Sequence, residues 1–555
     1  MSKDVTKENA SVNEKSSRDK MVSGSAWMTG GSILSRLLGV LYIIPWMAWM
    51  GTQDVANSAN ALYMVGYTPY ALFLNIATAG VPSAIAKQVS YYNALGEYKI
   101  SREIYKKGLQ VMAITGIVAA ILMYMIAPFI AANSPTASVS DGTQVIRSLS
   151  WALLIIPCMS VTRGFIQGHH TMAPSAISQF IEQLGRVIFM LAAVYLIRVV
   201  SDGSVVNAVS ASTFGAFIGA VFSIGYLLYV IWRKKPELDI NVANSRNKIS
   251  VSTNEIFKSI IKTAIPFIII GSGITFFQLI DQFTFAPIMN AVSDMTAKQI
   301  ENNYAIAAGN ANKLIMVVIS LAGSMAITSV PLIADLLARN KMADVRAQMS
   351  DSIQLFFFIM LPASIGMAVV AKPLYTVVYG YSAFGASILQ LSSYMSIFLG
   401  LFVLLGSTLQ AANQTKRALV AMAVGLVVKL VVQYPLLAIA GTHGMLLSNI
   451  VGFGATTYLM LRAIYKMTHL NIGFLLRRLL LMAIITAAMA LVVFIVQQGM
   501  YRLFEPKDRI GSLINMGVSA SIGGFVYLYA ALKTRLADRL LGSRVAGLRR
   551  KLRIK

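Results

Sequence analysis

The chain has 555 residues, 56% hydrophobic and only 12% charged, with a net charge of +25 and a mean hydropathy of +0.67. A soluble protein would carry about a quarter charged residues, so composition excludes a soluble enzyme or a soluble nucleic-acid-binding domain. The basic excess follows membrane topology rather than a nucleic-acid footprint.

In chain order, a polar N-tail (1–21) leads into an apolar run too long for a signal-peptide core, so no cleavage is expected. Fourteen apolar runs follow, each suited to crossing ~30 Å of hydrocarbon. Six, at 22–50, 61–86, 108–131, 148–167, 175–197 and 206–232, form an N-lobe (22–235). A cytoplasmic linker (236–262) separates them from a C-lobe (263–467), with spans at 263–288, 303–333, 353–371, 385–411, 418–438 and 445–465. Two further spans, 479–498 and 511–532, form an appendix (468–532), followed by a basic tail (533–555). The fold class expected is an all-α polytopic membrane protein. Of the 47 Lys and Arg residues, 35 fall in the two tails and at the turns after even-numbered spans, and seven after odd-numbered ones. That bias places both termini in the cytoplasm. The tail is either an amphipathic helix on anionic lipid or a plain topology anchor.

The first six spans echo the next six. Val81-Pro82 closes the second and Val330-Pro331 the eighth; Pro128 ends the third and Pro373 the ninth; Gln167 answers Gln410, and Arg186 answers Lys429. The offsets are 249, 245, 243 and 243 residues. Six spans is an even number, so the halves share one orientation. Two parallel six-helix lobes rocking about a central cavity are expected.

Five cations lie inside apolar runs: Arg36, Arg163, Arg186, Lys313 and Lys429, with only Glu182 and Asp281 as acids. Each such charge costs ~2.5–3.5 kcal/mol at the bilayer centre unless it faces protein or water. The excess of cations points to an anionic cargo. Arg36, following Ser35 in the first span, cannot be neutralised, and its fork suits phosphate oxygens. Lys313 and Lys429 read as cavity residues or as members of buried ion pairs. Glu182 and Arg186, at i and i+4, either neutralise each other or serve the site. Arg163 is near enough to its span's cytoplasmic end to reach headgroups. Asp281 is a counter-ion or a coupling site. Gly215-x3-Gly219 and Gly271-Ser272-Gly273 suggest helix packing or bending. Cys158 is the sole cysteine, so no intramolecular disulfide forms, and His169-His170 has no third ligand. With no Walker loop, zinc spacing or nucleophile–base set, no metal, cofactor or enzymatic chemistry is expected.

Several stretches together resemble the MurJ-type lipid II flippases, in the branch called YtgP or SpoVB, of the polysaccharide-export (MOP flippase) superfamily. They are Ser35-Arg36-Leu37-Leu38-Gly39, Asn312-Lys313-Leu314, Arg163-Gly164-Phe165-Ile166-Gln167-Gly168, Met172 to Gln179 with Glu182-Gln183 and Arg186, and Ser407 to Asn413. The resemblance implies a MATE-like fold and export of an undecaprenyl-pyrophosphate-linked peptidoglycan precursor by alternating access in the bacterial cell membrane. It carries pyrophosphate contact onto Arg36 and Lys313, with Ser35, Gln167, Arg163, Glu182, Arg186 and Lys429 around them, and a lipid-tail groove onto 479–532. The chain departs from the pattern near Tyr42 and near Leu72 to Asn75, where expected basic residues are missing; Arg186 and Lys429 could supply that charge. Expected partners are a lipid-linked anionic sugar, membrane lipids and the cell-wall synthesis machinery, and no nucleic acid. Rival readings are a flippase for teichoic acid, capsule or another lipid-linked oligosaccharide, a cation-coupled drug exporter, and a membrane glycosyltransferase or ligase. The last two fit poorly, because cavity carboxylates are outnumbered and no large soluble loop carries catalytic acids.

Overall fold

The computed structural model describes residues 35, 38–39, 41–78, 80–136, 138–169, 171–246, 255 and 265–541. Among these every regular element is helical. In order they are α1 (Ile43–Met50), α2 (Gln53–Thr78), α3 (Val81–Ala94), α4 (Tyr98–Ala132), α5 (Val139–Ser150), α6 (Ala152–Gly168), α7 (Ala173–Val194) and α8 (Val205–Ala243). Then come α9 (Gly273–Val292), α10 (Ala297–Tyr304), α11 (Asn312–Ala338), α12 (Met342–Val369), α13 (Ala371–Tyr379), α14 (Ala383–Ala411), α15 (Thr415–Ala440), α16 (Thr442–Thr468), α17 (Ile472–Leu503), α18 (Arg509–Lys533) and α19 (Leu536–Leu541).

Among the described residues, eleven helical stretches are long and apolar enough to cross a membrane, and a twelfth if Ile265–Gly271 and α9, bent by 53° at Ser272, count as one span. The protein is therefore a multi-pass membrane protein. The bend falls in Gly271-Ser272-Gly273, where two residues without side chains weaken the helix. The other two expected spans are the first, only partly within the described residues, and the second. The second is divided at Gly80, whose φ of 76° lies in the left-handed region glycine tolerates. Its N-terminal part, α2, carries Asn57, Asn60, Thr68 and Asn75 and is too polar to count by composition alone. Residues 236–243, expected in the linker, instead continue α8, with Pro236 inside the helix. The rest of that linker falls largely outside the described residues, as do Arg36 and the tail beyond Leu541.

Helix starts follow side-chain caps. Ser138, Ser204, Ser382, Asn471 and Asp508 each accept a hydrogen bond from an amide two or three residues on, and Thr296 forms a reciprocal capping box with Gln299.

The chain divides into two compact units. The first comprises the described residues up to Gly51, those of Val65–Asn133 and those of Ser138–Ser272. In it α7 packs along α8, and α6 against α3, α4 and α8. Small residues permit the close approach: Gly215 lies 3.1 Å, at its missing Cβ, from the Arg186 carbonyl oxygen, and Gly164 lies 2.5 Å from that of Pro82. The second unit comprises Thr52–Met64, the described residues of 134–137 and Gly273–Leu541. There α15 packs along α16, α14 against α11 and α16, and α17 against α12 and α18. Gly425 and Gly452 bring α15 and α16 together, at 2.6 Å from the Gly425 Cβ position to the Gly452 oxygen. An apolar core joins α12 to α17 and α18 through Phe358, Met482, Met489 and Tyr527, whose hydroxyl donates to the Phe358 carbonyl at 2.7 Å.

Candidate functional site

Lys313 is the second residue of α11, directly after a π-helical stretch, Ala305–Ala311. Such bulges re-aim the side chains that follow them and recur at functional sites. The half-buried Lys313 Nζ donates to Asn60 Oδ1 at 2.6 Å and lies 4.7 Å from the centre of the Tyr63 ring. Asn60 is fixed in turn: its Nδ2 donates to Asn310 Oδ1 at 2.5 Å. Asn310 Nδ2 donates to Asn57 Oδ1 at 3.1 Å and to the Tyr375 hydroxyl at 2.8 Å, while the Tyr379 hydroxyl donates to the Asn310 carbonyl at 3.1 Å. Asn57, Asn60, Asn310, Tyr375 and Tyr379 are all buried, so this chain of amides and hydroxyls holds one geometry. Among its contacts, an amide oxygen and a ring face thus place the half-buried Lys313 ammonium.

Lys429 has different surroundings. Its side chain is 0% exposed, and its Nζ donates to Asp281 Oδ1 at 2.6 Å, to Asn449 Oδ1 at 2.7 Å and to Gln433 Oε1 at 3.2 Å. Asp281 Oδ2 accepts from Asn449 Nδ2 at 2.8 Å, and Oδ1 also accepts from Gln433 Nε2 at 3.1 Å. Ser448 donates to Gln433 Oε1. Every polar atom of the pair is matched by α9, α15 or α16. The Lys429 ammonium ties α9, α15 and α16 together in this structure, with Asp281 as its ion-pair partner.

In the first unit, Arg163 on α6 reaches across to α7 and α8. Its Nη2 donates to Glu182 Oε2 at 2.8 Å and to Ser223 Oγ at 2.9 Å, and its Nε donates to Ser178 Oγ at 2.8 Å. Glu182 therefore finds an ion-pair partner on another helix, where the sequence had offered Arg186 one turn away. The Arg163 and Glu182 side chains are 13% and 27% exposed, so the pair is only partly buried. The Arg186 guanidinium carbon lies 5.6 Å from the centre of the Tyr67 ring. Gln167 Nε2 donates to Ser175 Oγ at 2.7 Å, which ties the end of α6 to the start of α7. Ser35 is half-buried, and Arg36 lies outside the described residues.

The residues that sequence reasoning missed are Asn57, Asn60, Tyr375, Gln433 and Asn449. The spacing Asn57-x-x-Asn60, just ahead of the expected span at 61–86, was the available signal, since two amides on one face of a helix that leads into a membrane require partners. Among the described residues no group of three or more His, Cys, Asp or Glu could hold a metal.

Residues 21–337 match a family model described as "Polysaccharide biosynthesis protein". The chain is 34% identical over 544 residues to the lipid II flippase MurJ of Bacillus subtilis, covering 96% of this chain and 98% of that one. Among solved structures, a lipid II flippase MurJ in an inward closed conformation matches with a TM-score of 0.63 at 15% identity, covering 93% of this chain and 99% of the other. A eukaryotic MATE transporter matches with a TM-score of 0.57 at 13% identity, covering 84% and 98%. These two structures share the fold.

Proposed function

The chain belongs to the polysaccharide biosynthesis protein family, alongside the MurJ-type flippases, and from that premise we propose that it translocates lipid II. The cargo is an undecaprenyl-pyrophosphate-linked peptidoglycan precursor, carried from the inner to the outer leaflet of a bacterial cell membrane by alternating access. The observation that carries this reading is the 34% identity across 96% of the chain to a lipid II flippase. The intramembrane chemistry agrees with it. A pyrophosphate presents several anionic oxygens, and Lys313, oriented by Asn60 over the Tyr63 ring, can donate to them. Arg36 would add a bidentate contact. Arg163, braced by Glu182, Ser178 and Ser223, would set the polarity of the first unit's share of the path.

The lipid tail would stay in the bilayer against α17 and α18 while the sugars cross, which avoids exposing their hydroxyls to hydrocarbon. Both termini would face the cytoplasm, and the exported precursor would feed the cell-wall synthesis machinery. The description of the matched family favours one second reading, a flippase for another lipid-linked oligosaccharide.

Depletion in a host of known wall chemistry separates the two. Accumulation of lipid II, with loss of its labelling by an impermeant reagent at the outer face, is the expected result. Accumulation of a different lipid-linked sugar, with lipid II still exposed outside, would overturn the lipid II reading in favour of the second.

A further inference from the structure

We propose that the first unit carries a separate binding site for the phosphodiester headgroup of an anionic membrane lipid. The site is a cavity of about 200 Å³. It lies where the end of α3, the start of α4, the end of α6 and the last turns of α8 converge. Each of these lies at a turn that charge distribution assigns to the basic, cytoplasmic face.

Three lining side chains are basic, Arg102, Lys106 and Lys235, and one is acidic, Asp239. Asp239 Oδ1 accepts from Arg102 Nη1 at 2.6 Å, which fixes the guanidinium and leaves the positive charge of Lys106 and Lys235 in excess. Both lysines are exposed. The wall between them is apolar, and Trp232, 70% exposed, stands on it, as indole rings do at headgroup depth. A basic mouth on an apolar wall suits an amphiphile better than a free ion. Asn93 makes the fit more specific. Its Oδ1 is buried and lacks a hydrogen-bond partner, although the residue lines the cavity. Leaving such an acceptor unfilled is destabilising. A rotation of the Asn93 side chain toward the cavity would offer that acceptor to a headgroup hydroxyl next to the phosphate. The three features together select a glycerol-type phosphodiester: its charge against the lysines, its hydroxyl on Asn93, its first acyl carbons along the wall. The cytoplasmic leaflet is where anionic lipid is drawn to basic clusters of this kind.

The test uses the full chain in phosphatidylcholine nanodiscs titrated with short-chain phosphatidylglycerol. Saturable binding is expected. The double variant Lys106→Ala, Lys235→Ala should weaken it by about tenfold or more, as loss of charge-assisted contacts does. Asn93→Asp, which adds repulsion without removing volume, should weaken it too, and decides the matter alone if the double variant does not fold. Four results would overturn the proposal: binding unchanged in the variants, equal binding of added short-chain phosphatidylcholine, displacement by inorganic phosphate at the same concentration, or displacement by undecaprenyl pyrophosphate at a lower one. The third would indicate a free-anion site and the fourth an extension of the transport path.

Discussion

Lys313 and Lys429 are two intramembrane lysines of the same unit, read from sequence as equivalent, and the structure separates them by their partners. Lys429 is sealed by Asp281, Asn449 and Gln433 with no exposure. Lys313 is half-buried and is positioned by Asn60 and the Tyr63 ring. Depth in an apolar run reveals that a charge must be accommodated, but the accommodating groups decide whether it remains available. A lysine matched to a carboxylate and two amides has little electrostatic reason to bind cargo. Lys313, half-buried and held by Asn60 and Tyr63 among its contacts, can exchange a partner for a phosphate oxygen.

Substitutions sharpen this comparison in a definite order. The largest effect on stability is expected from Lys429→Met, because removing one partner of a buried pair leaves Asp281 charged and uncompensated, at about 3–5 kcal/mol. A sharply lowered melting temperature in detergent is the readout. Adding Asp281→Asn should recover much of that loss, since neutral replacement of both partners of a buried pair is often tolerated. Failure to recover would mean that the carboxylate does more than neutralise the lysine. Next comes Lys313→Ala, expected to cost about 1.5–3 kcal/mol of headgroup interaction, or roughly tenfold to a hundredfold in affinity for the lipid-linked pyrophosphate, with folding retained. Binding to the purified variant measures it. Asn310→Ala should cost about 1–3 kcal/mol of stability, by leaving the Tyr375 hydroxyl and the Asn57 and Asn60 amides without their shared partner. It should also weaken headgroup binding through Lys313. Unaltered binding would remove Asn310 from the positioning of that lysine. The smallest effect is expected from Arg102→Lys, whose pair with Asp239 is 38% and 44% exposed. Exposed pairs contribute about 0–1 kcal/mol, so thermal stability should barely change.

Much of the architecture was legible because a membrane demands long apolar helices, and these stand out in the sequence. Gly215-x3-Gly219 and Gly271-Ser272-Gly273 were likewise readable as a packing face and a bend. The break at Gly80 was not, because apolar residues dominate from Ala71 to Ala86 on both sides of it, and Gly80 and Pro82 read as the end of the span rather than as its division. At the site, sequence identified which charges lie in the membrane but not which ones pair. Glu182 had Arg186 as a neighbour by helical spacing, yet its ion pair crosses from α7 to α6. The packing of those two helices, which no local pattern encodes, put Arg163 closer. The network under Lys313 escaped for the same reason. Asn57 and Asn60 are some 250 residues from Asn310 along the chain, and only tertiary packing makes them neighbours.

The most direct test is a side-by-side transport assay in vesicles, following loss of inner-face lipid II for Lys313→Ala and for the double variant Lys429→Met, Asp281→Asn, each at matched levels of folded protein. Lys313→Ala should flip the lipid roughly tenfold or more slowly, while the neutralised buried pair should still transport it. Wild-type flipping by Lys313→Ala, or a stable but inactive double variant, would contradict the division of roles between the two lysines.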